Sequence, residues 1–218
     1  MLKDGEKGAV IQRDKKTYAI VPHLGMGLVT PEQLRRLADV SEKYGATLKL
    51  TSAQRIALVG LREEDIDAVW SELDINPGAA IGLCVRSVKA CPGTTFCRLA
   101  KGDSLALATE LDRRYHGMKL PWKFKIGVSG CPNQCAENCI KDLGFHAKNA
   151  GWIATVGGNG GARPLLAREL KTGLDDQQAL DLAERIIDYF NSHAKKTERL
   201  GRLIKRVGFD EFKDAILS

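Results

Sequence analysis

Lys125-Ile-Gly-Val-Ser-Gly-Cys-Pro-Asn-Gln-Cys135 is an apolar run that stops abruptly at a cysteine loop, and it sets the reading of the whole chain. Phe124 to Ser129 reads as a strand, and Cys131 and Cys135 follow it in a C-x3-C loop with Pro132 and Asn133 as turn formers. A second pair lies upstream in Cys91-Pro-Gly-Thr-Thr-Phe-Cys97, again in a loop rich in small residues. Thiolates are soft ligands suited to iron-sulfur clusters, so the two pairs read together as four ligands of one centre. That reading requires a fold that carries two distant loops to one place.

The chain around this motif has 218 residues, 44% of them hydrophobic, enough for one large domain or two modest ones with a real core. No apolar run approaches bilayer length, and Met1-Leu-Lys-Asp-Gly-Glu-Lys7 is charged where a signal peptide is apolar, so a cytoplasmic protein is expected. Six cysteines in such a chain favour thiolate chemistry over disulfides. The net charge of +6 includes no long basic run. It suits an anionic substrate or cofactor better than nucleic acid, although an ordinarily solvated basic surface explains it as well.

Along the chain, Thr17 to Val21 reads as a strand, and Thr30-Pro31-Glu32-Gln33 as a capping box opening a helix that runs to about Tyr44. Gly45 is placed to end it. Strands follow over Thr47 to Thr51 and Ile56 to Val59, then a helix over Glu63 to Leu73. This order describes a compact α+β module, and Asn76-Pro77-Gly78 places its end near residue 75. Beyond it the pattern predicts a helix from about Phe96 to Tyr115, strands near Leu143 to Ala147 and Trp152 to Val156, and mostly helix thereafter, strongest over Gln177 to Ser192.

Three other readings of the cysteines compete. Unrelated buried thiols account for the number but not the pairing. Zinc sites usually space paired ligands by two to four residues, which the five-residue gap between Cys91 and Cys97 exceeds. Disulfides need an oxidising compartment.

The pattern C-x5-C followed by C-x3-C within Lys125 to Cys135 resembles the sirohaem and [4Fe-4S] signature of the sulfite and nitrite reductases. The resemblance extends to Pro22-His-Leu-Gly-Met-Gly-Leu-Val-Thr-Pro-Glu-Gln-Leu34 and Leu50-Thr-Ser-Ala-Gln-Arg-Ile-Ala-Leu-Val-Gly60, which are similar to that family's ferredoxin-like half-domain. It continues in Trp152-Ile-Ala-Thr-Val-Gly-Gly-Asn-Gly-Gly161 and in Glu198-Arg-Leu-Gly-Arg-Leu-Ile-Lys-Arg-Val-Gly208. It implies a ferredoxin-like half-domain over residues 1–75 and a reductase core of mixed sheet and helices over 76–218. It also implies that Cys91, Cys97, Cys131 and Cys135 bind a [4Fe-4S] cluster, with the Cys135 thiolate shared with the sirohaem iron. Cys84 and Cys139 are then expected to be buried structural thiols.

Sulfite and nitrite are small anions whose reduction consumes protons, so fixed cations are needed to bind oxyanion and deliver protons. Lys123 and Lys125 alternate along a strand and so share a face. Spacing alone favours a solvated face for them, whereas the resemblance assigns them, with Arg86, to the substrate. The family commonly has Thr-x-Arg-Gln in its half-domain; Ala53 stands here where that Arg is expected, and Arg55 is read as its substitute from the same strand face. The resemblance further implies macrocycle contacts from Asn133, Gly158, Asn159 and Arg163, and from Thr51 and Gln54 in the half-domain run. Gln134 replaces a frequent Gly before the last cysteine.

Many family members hold two copies of this unit, and this chain holds one, which leaves a monomer and a homodimer with shared sites both open. The expectation is a small assimilatory-type sulfite reductase that converts sulfite to sulfide with six electrons. Nitrite reduction to ammonia is the alternative, and a cluster-bearing electron carrier or redox sensor the reading from a different class. No dinucleotide or flavin motif is present, so electrons are expected from an external low-potential donor such as a ferredoxin.

Overall fold

The computed structural model describes residues 1–218 and divides into two compact units, Met1–Gly82 and Leu83–Ser218. The sequence places the boundary near residue 75. The segment beyond it stays with the first unit because its backbone is tied back: His23 N–H donates to the Asn76 carbonyl and Gly78 N–H to the Val21 carbonyl, both at 2.8 Å.

The first unit is a four-stranded antiparallel sheet with two helices. Its elements are β1 (Ala9–Ile11), β2 (Tyr18–Ile20), α1 (Pro31–Lys43), β3 (Thr47–Thr51), β4 (Arg55–Leu61) and α2 (Ile66–Leu73), with strand order β1-β2-β4-β3. The expected capping box is present: Thr30 Oγ1 accepts from Gln33 N–H at 3.1 Å, and the Gln33 amide oxygen accepts from Thr30 N–H at 2.9 Å. Gly45, at φ +64°, turns the chain out of α1 toward β3 in the left-handed region that glycine adopts without a Cβ penalty. Leu37 of α1, Leu58 and Leu61 of β4, and Ile66 and Leu73 of α2 close over Tyr18 and Ile20, all essentially buried.

The second unit carries β5 (Lys89–Ala90), α3 (Gly93–Phe96), α4 (Ser104–Tyr115), β6 (Ile126–Ser129), β7 (Leu143–Lys148), β8 (Gly151–Val156), β9 (Arg168–Leu174), α5 (Asp176–His193), α6 (Leu200–Val207) and α7 (Phe209–Leu217). Its sheet has the order β5-β6-β7-β8-β9, parallel from β5 to β7 and antiparallel from β7 to β9. Helix α5 opens on a second capping box, Asp175 with Gln178, and buries Ala179, Leu182, Ala183, Ile186, Ile187 and Phe190. The Phe190 ring meets Phe124 with centroids 5.3 Å apart.

Two expectations are corrected. The helix expected from Phe96 to Tyr115 starts only at Ser104, because Asp103 caps it by accepting from Ala106 N–H at 3.1 Å, and Phe96 instead ends the short α3. The tail is not mostly helix from its start: β9 adds an edge strand with only Leu170 and Leu174 buried, too polar to stand out from the sequence. The mixed α+β class, with a ferredoxin-like first unit, holds.

Candidate functional site

Strands β5 and β6 run parallel, with Lys89 beside Gly127 and Ala90 beside Val128. Their next residues therefore leave the sheet at the same end, which is how Cys91 and the loop holding Cys131 and Cys135 come together. Cys91 N–H donates to the Val128 carbonyl at 3.1 Å, and Gly130 N–H donates to Cys91 Sγ at 3.0 Å. Ser104 Oγ lies 3.3 Å from the same sulfur while donating to the Cys91 carbonyl at 2.8 Å.

The approach of the loops is set by glycine. A Cβ on Gly130 would fall 2.8 Å from the Gly102 carbonyl oxygen and 2.9 Å from Gly93 Cα, both backbone atoms that cannot swing aside. Gln134 takes φ +50°, so the residue that replaces a frequent glycine keeps the left-handed conformation. Its side-chain oxygen is buried with no hydrogen-bond partner. Cys91 and Cys131 are buried, Cys97 is half-buried and Cys135 is exposed. Cys84 is buried as expected, but Cys139 is exposed, a correction that follows from its place in the short 3-10 turn Asn138–Ile140 at the surface.

No three His, Cys, Asp or Glu side chains converge as tightly as a single metal ion would require. The sequence reading instead joins the four paired thiols in one iron-sulfur cluster. The donor set fits such a cluster: four free thiols, no carboxylate bonded to them, and a backbone N–H aimed at the first sulfur.

At the other end of the same pair of parallel strand segments stands a set of cations. Lys123 and Lys125 flank the wholly buried Phe124 in the extended segment leading into β6, as their alternation predicts. Phe124 bridges Val85 in parallel, and Arg86 N–H donates to the Phe124 carbonyl at 2.9 Å, so Arg86 leaves the neighbouring strand segment. Arg86 is 9% exposed, and burial, reinforced by Arg199, holds its pKa below the ordinary value, with Cys84 opposing. Burial likewise pushes the Lys125 ammonium down, aided by Arg199, Lys141 and Lys123 and opposed by Asp142.

The centre of this set was not legible in the sequence. Asp142 is wholly buried and accepts from Arg199 Nε–H at 2.8 Å and from one arm of its guanidinium, Nη2, at 2.6 Å, and one of its oxygens also accepts from Lys125 N–H at 2.8 Å. Burial pushes the Asp142 carboxyl up, against the pull of Arg199 and the Lys125 N–H. The remaining arm of Arg199 donates to Asn159 Oδ1 at 2.9 Å, and the Asn159 amide donates to the Arg163 carbonyl at 3.2 Å. One ion pair thus ties the segment of Lys125 to the glycine-rich loop. The signal available in sequence was an isolated acid at the mouth of an apolar strand, Lys141-Asp142-Leu143.

Gly158 is wedged against the backbone: a Cβ there would fall 2.6 Å from the Lys141 oxygen and 2.7 Å from the Cys139 oxygen. Asn133 and Arg163 are exposed and Asn159 half-buried. In the first unit, Thr51, Gln54 and Arg55 line a cleft of about 300 Å³ with Leu24, Met26 and Gly27. Here the sequence reading needs correction. Ala53 lies in the turn of the β3–β4 hairpin, where Thr51 pairs with Arg55, so Ala53 and Arg55 do not share a strand face. Gln54 at φ +56° reverses the chain between them.

Comparison with known proteins agrees with this architecture. Residues 81–218 match the nitrite and sulphite reductase 4Fe-4S domain, and residues 10–74 the nitrite/sulfite reductase ferredoxin-like half domain. An assimilatory-type sulfite reductase of Nitratidesulfovibrio vulgaris is 38% identical over 99% of this chain and 100% of its own length. A nitrite reductase [NAD(P)H] of Bacillus subtilis is 38% identical over 95% of this chain, which spans only 26% of that protein. The fold matches that of Mycobacterium tuberculosis NirA with a TM-score of 0.82 at 22% identity, over 92% of this chain and 39% of NirA. It matches dissimilatory sulfite reductase I at 0.81 and 16%, over 92% of this chain and 69% of the other. No helix is long and apolar enough to cross a membrane. With both of its units matched and its cysteine loops gathered at one end of a parallel strand pair, the chain belongs to the nitrite and sulfite reductase family of iron-sulfur oxidoreductases.

Proposed function

We propose that the protein is a small assimilatory-type sulfite reductase that takes sulfite to sulfide with six electrons from an external low-potential donor. One observation carries this reading: the four-cysteine loops and the Arg86–Lys125 cations lie at the two ends of one parallel pair of strand segments in the same unit. The relative that matches over its full length supports sulfite as substrate.

In this reading Cys91, Cys97, Cys131 and Cys135 hold a [4Fe-4S] cluster, and the exposed thiol of Cys135 is the one shared with sirohaem. Asn133, Gly158, Asn159 and Arg163 border the macrocycle, with Thr51 and Gln54 as the contribution expected of the first unit. When bound, the paired cofactors supply electrons to the oxyanion. The protein supplies charge and protons. Arg86 stays cationic despite its burial and binds the anion, since a guanidinium keeps its proton at any working pH. Lys123 and Lys125 add positive charge as the substrate gains electrons, and each oxygen lost as water needs protons. The depressed ammonium of Lys125 releases its proton more readily than a solvated lysine would. Arg55 is the candidate for a further anion contact.

The test is paired. Single Ser replacements at Cys91, Cys97, Cys131 and Cys135 are expected to lose iron and acid-labile sulfide, whereas Cys84→Ala and Cys139→Ser keep both. Steady-state assays of the intact holoprotein with a reduced dye then compare the anions. The nitrite reductases among the relatives favour nitrite as the second reading. Strong nitrite turnover beside background sulfite turnover would establish it. Unchanged rates in Arg86→Ala, Lys123→Ala and Lys125→Ala would instead favour a carrier.

A further inference from the structure

We propose that Lys89 and Lys141, gathered on the Glu137 carboxylate, form a fixed positive group that raises the reduction potential of the cluster held by the cysteine loops. This assignment rests on the cluster reading above and concerns three residues that belong neither to the ligand set nor to the substrate cations. Both ammoniums meet one carboxylate oxygen, Glu137 Oε2, Lys141 at 2.9 Å and Lys89 at 3.1 Å. Two cations on one anion leave the group with a net positive charge.

Its place follows from the chain. Lys89 stands two residues before Cys91 and Glu137 two residues after Cys135, so their ion pair crosses from the entry of one cysteine loop to the exit of the other. Two residues span at most about 7 Å of backbone, which keeps both anchors close to a ligand. Lys89 pairs in register with Gly127, and a Cβ on Gly127 would fall 3.0 Å from Lys141 Cγ and 3.6 Å from its Cε. The side chain that Gly127 lacks is thus the space along which the Lys141 stem lies. Glu137 is fixed in turn at φ +59°, its N–H donating to the Gln134 carbonyl at 2.7 Å and its carbonyl accepting from Ile140 N–H at 3.1 Å.

Uneven burial decides the sign of the group's field. The Lys89 and Lys141 side chains are 13% and 10% exposed, whereas that of Glu137 is 47% exposed. Water screens the carboxylate more than the ammoniums, so positive charge dominates inside the protein. An iron-sulfur cluster gains negative charge on reduction, and the charge around it is one of the levers on its potential. Asp142, next in sequence to Lys141, does not cancel the effect, because both of its oxygens are committed to Arg199. Nor does loop tethering account for the trio. Lys89 and Glu137 alone would join the two loops, while Lys141 lies four residues beyond Glu137 in the same segment and adds charge without a further link between them.

A redox titration of the cluster couple in intact holoprotein, followed by its EPR signal, tests this. Lys89→Met and Lys141→Met are each expected to shift the midpoint to more negative potential and Glu137→Gln to shift it to more positive potential. Lys89→Arg, which keeps the charge, is expected to hold the parent's value. Iron and acid-labile sulfide are counted in every variant. A cluster-bearing methionine variant with the parent's midpoint overturns the assignment. So do shifts of one sign in the methionine and glutamine variants, and so does loss of the cluster from both methionine variants, which would make the group a structural tie. Parent protein without iron and labile sulfide fails the cluster reading itself, whereas a parent that holds its cluster beside variants with an indifferent couple fails the tuning alone.

Discussion

The two compact units treat buried polarity in opposite ways. Of the 13 buried polar or charged residues, Ser41 and Arg55 lie in the first unit and the other 11 in the second. The first unit is ordinary in construction: an apolar core, helix caps at its surface and ion pairs in water, such as Arg36 with an 86% exposed Asp74 at 3.4 Å. The second buries Asp142 with Arg199 and surrounds them with Lys125, Lys141 and Arg86. A domain that needed only stability would gain more from apolar residues there. Burying charge instead fixes where cations stand, which is what an anion-reducing site requires and a scaffold does not.

This contrast can be broken most directly at Asp142. Asp142→Asn is expected to cost the second unit about 3–5 kcal/mol, because it leaves the Arg199 guanidinium buried without its counter-charge. Asp74→Asn, the same change in the first unit, is expected to cost under about 1 kcal/mol. Denaturant unfolding of the two variants compares them, and equal losses would dissolve the distinction.

Lys125 sharpens it, because there stability and activity should move in opposite directions. Burial depresses its folded pKa below the unfolded value, so the charged ammonium costs stability at neutral pH, and that cost fades as pH rises through the folded pKa. Lys125→Met is therefore expected to raise the melting temperature at neutral pH while lowering sulfite turnover about a hundredfold. With Lys125 in its proposed role as proton donor, the alkaline fall in the parent's turnover is expected at a lower pH than an ordinary lysine would give. A melting temperature that drops in the methionine variant removes the claim of a site charge held at a cost.

The smallest effect belongs to the first unit. Thr30→Ala removes the acceptor for Gln33 N–H at the start of α1 and is expected to cost about 1 kcal/mol, with the cofactor spectrum unchanged. Loss of iron on this change would show that the units are not so separate in what they support.

How much of this was visible in the chain follows from how local each determinant is. The capping box at Thr30, the strand Thr47–Thr51 and the paired cysteines are short-range patterns whose residues lie within a few positions of each other. The late start of α4 hides because Arg98, Leu99, Ala100 and Lys101, just ahead of Gly102 and Asp103, are all good helix formers. Strand β9 hides because an edge strand with one wet face and register shifts against β8 lacks clean alternation. Asp142 and Arg199 are 57 residues apart and look like surface charges until the fold joins them. The shared strand face expected of Ala53 and Arg55 misread a tight hairpin turn as continuous strand.

The parallel alignment of β5 with β6 has a bearing on how the protein matures. Parallel neighbours cannot be linked by a tight turn, so the polypeptide must complete its crossover through α3 and α4 before Cys91 and Cys131 meet. The receptacle for the proposed cluster therefore depends on the whole crossover being in place, and neither cysteine loop can form it alone.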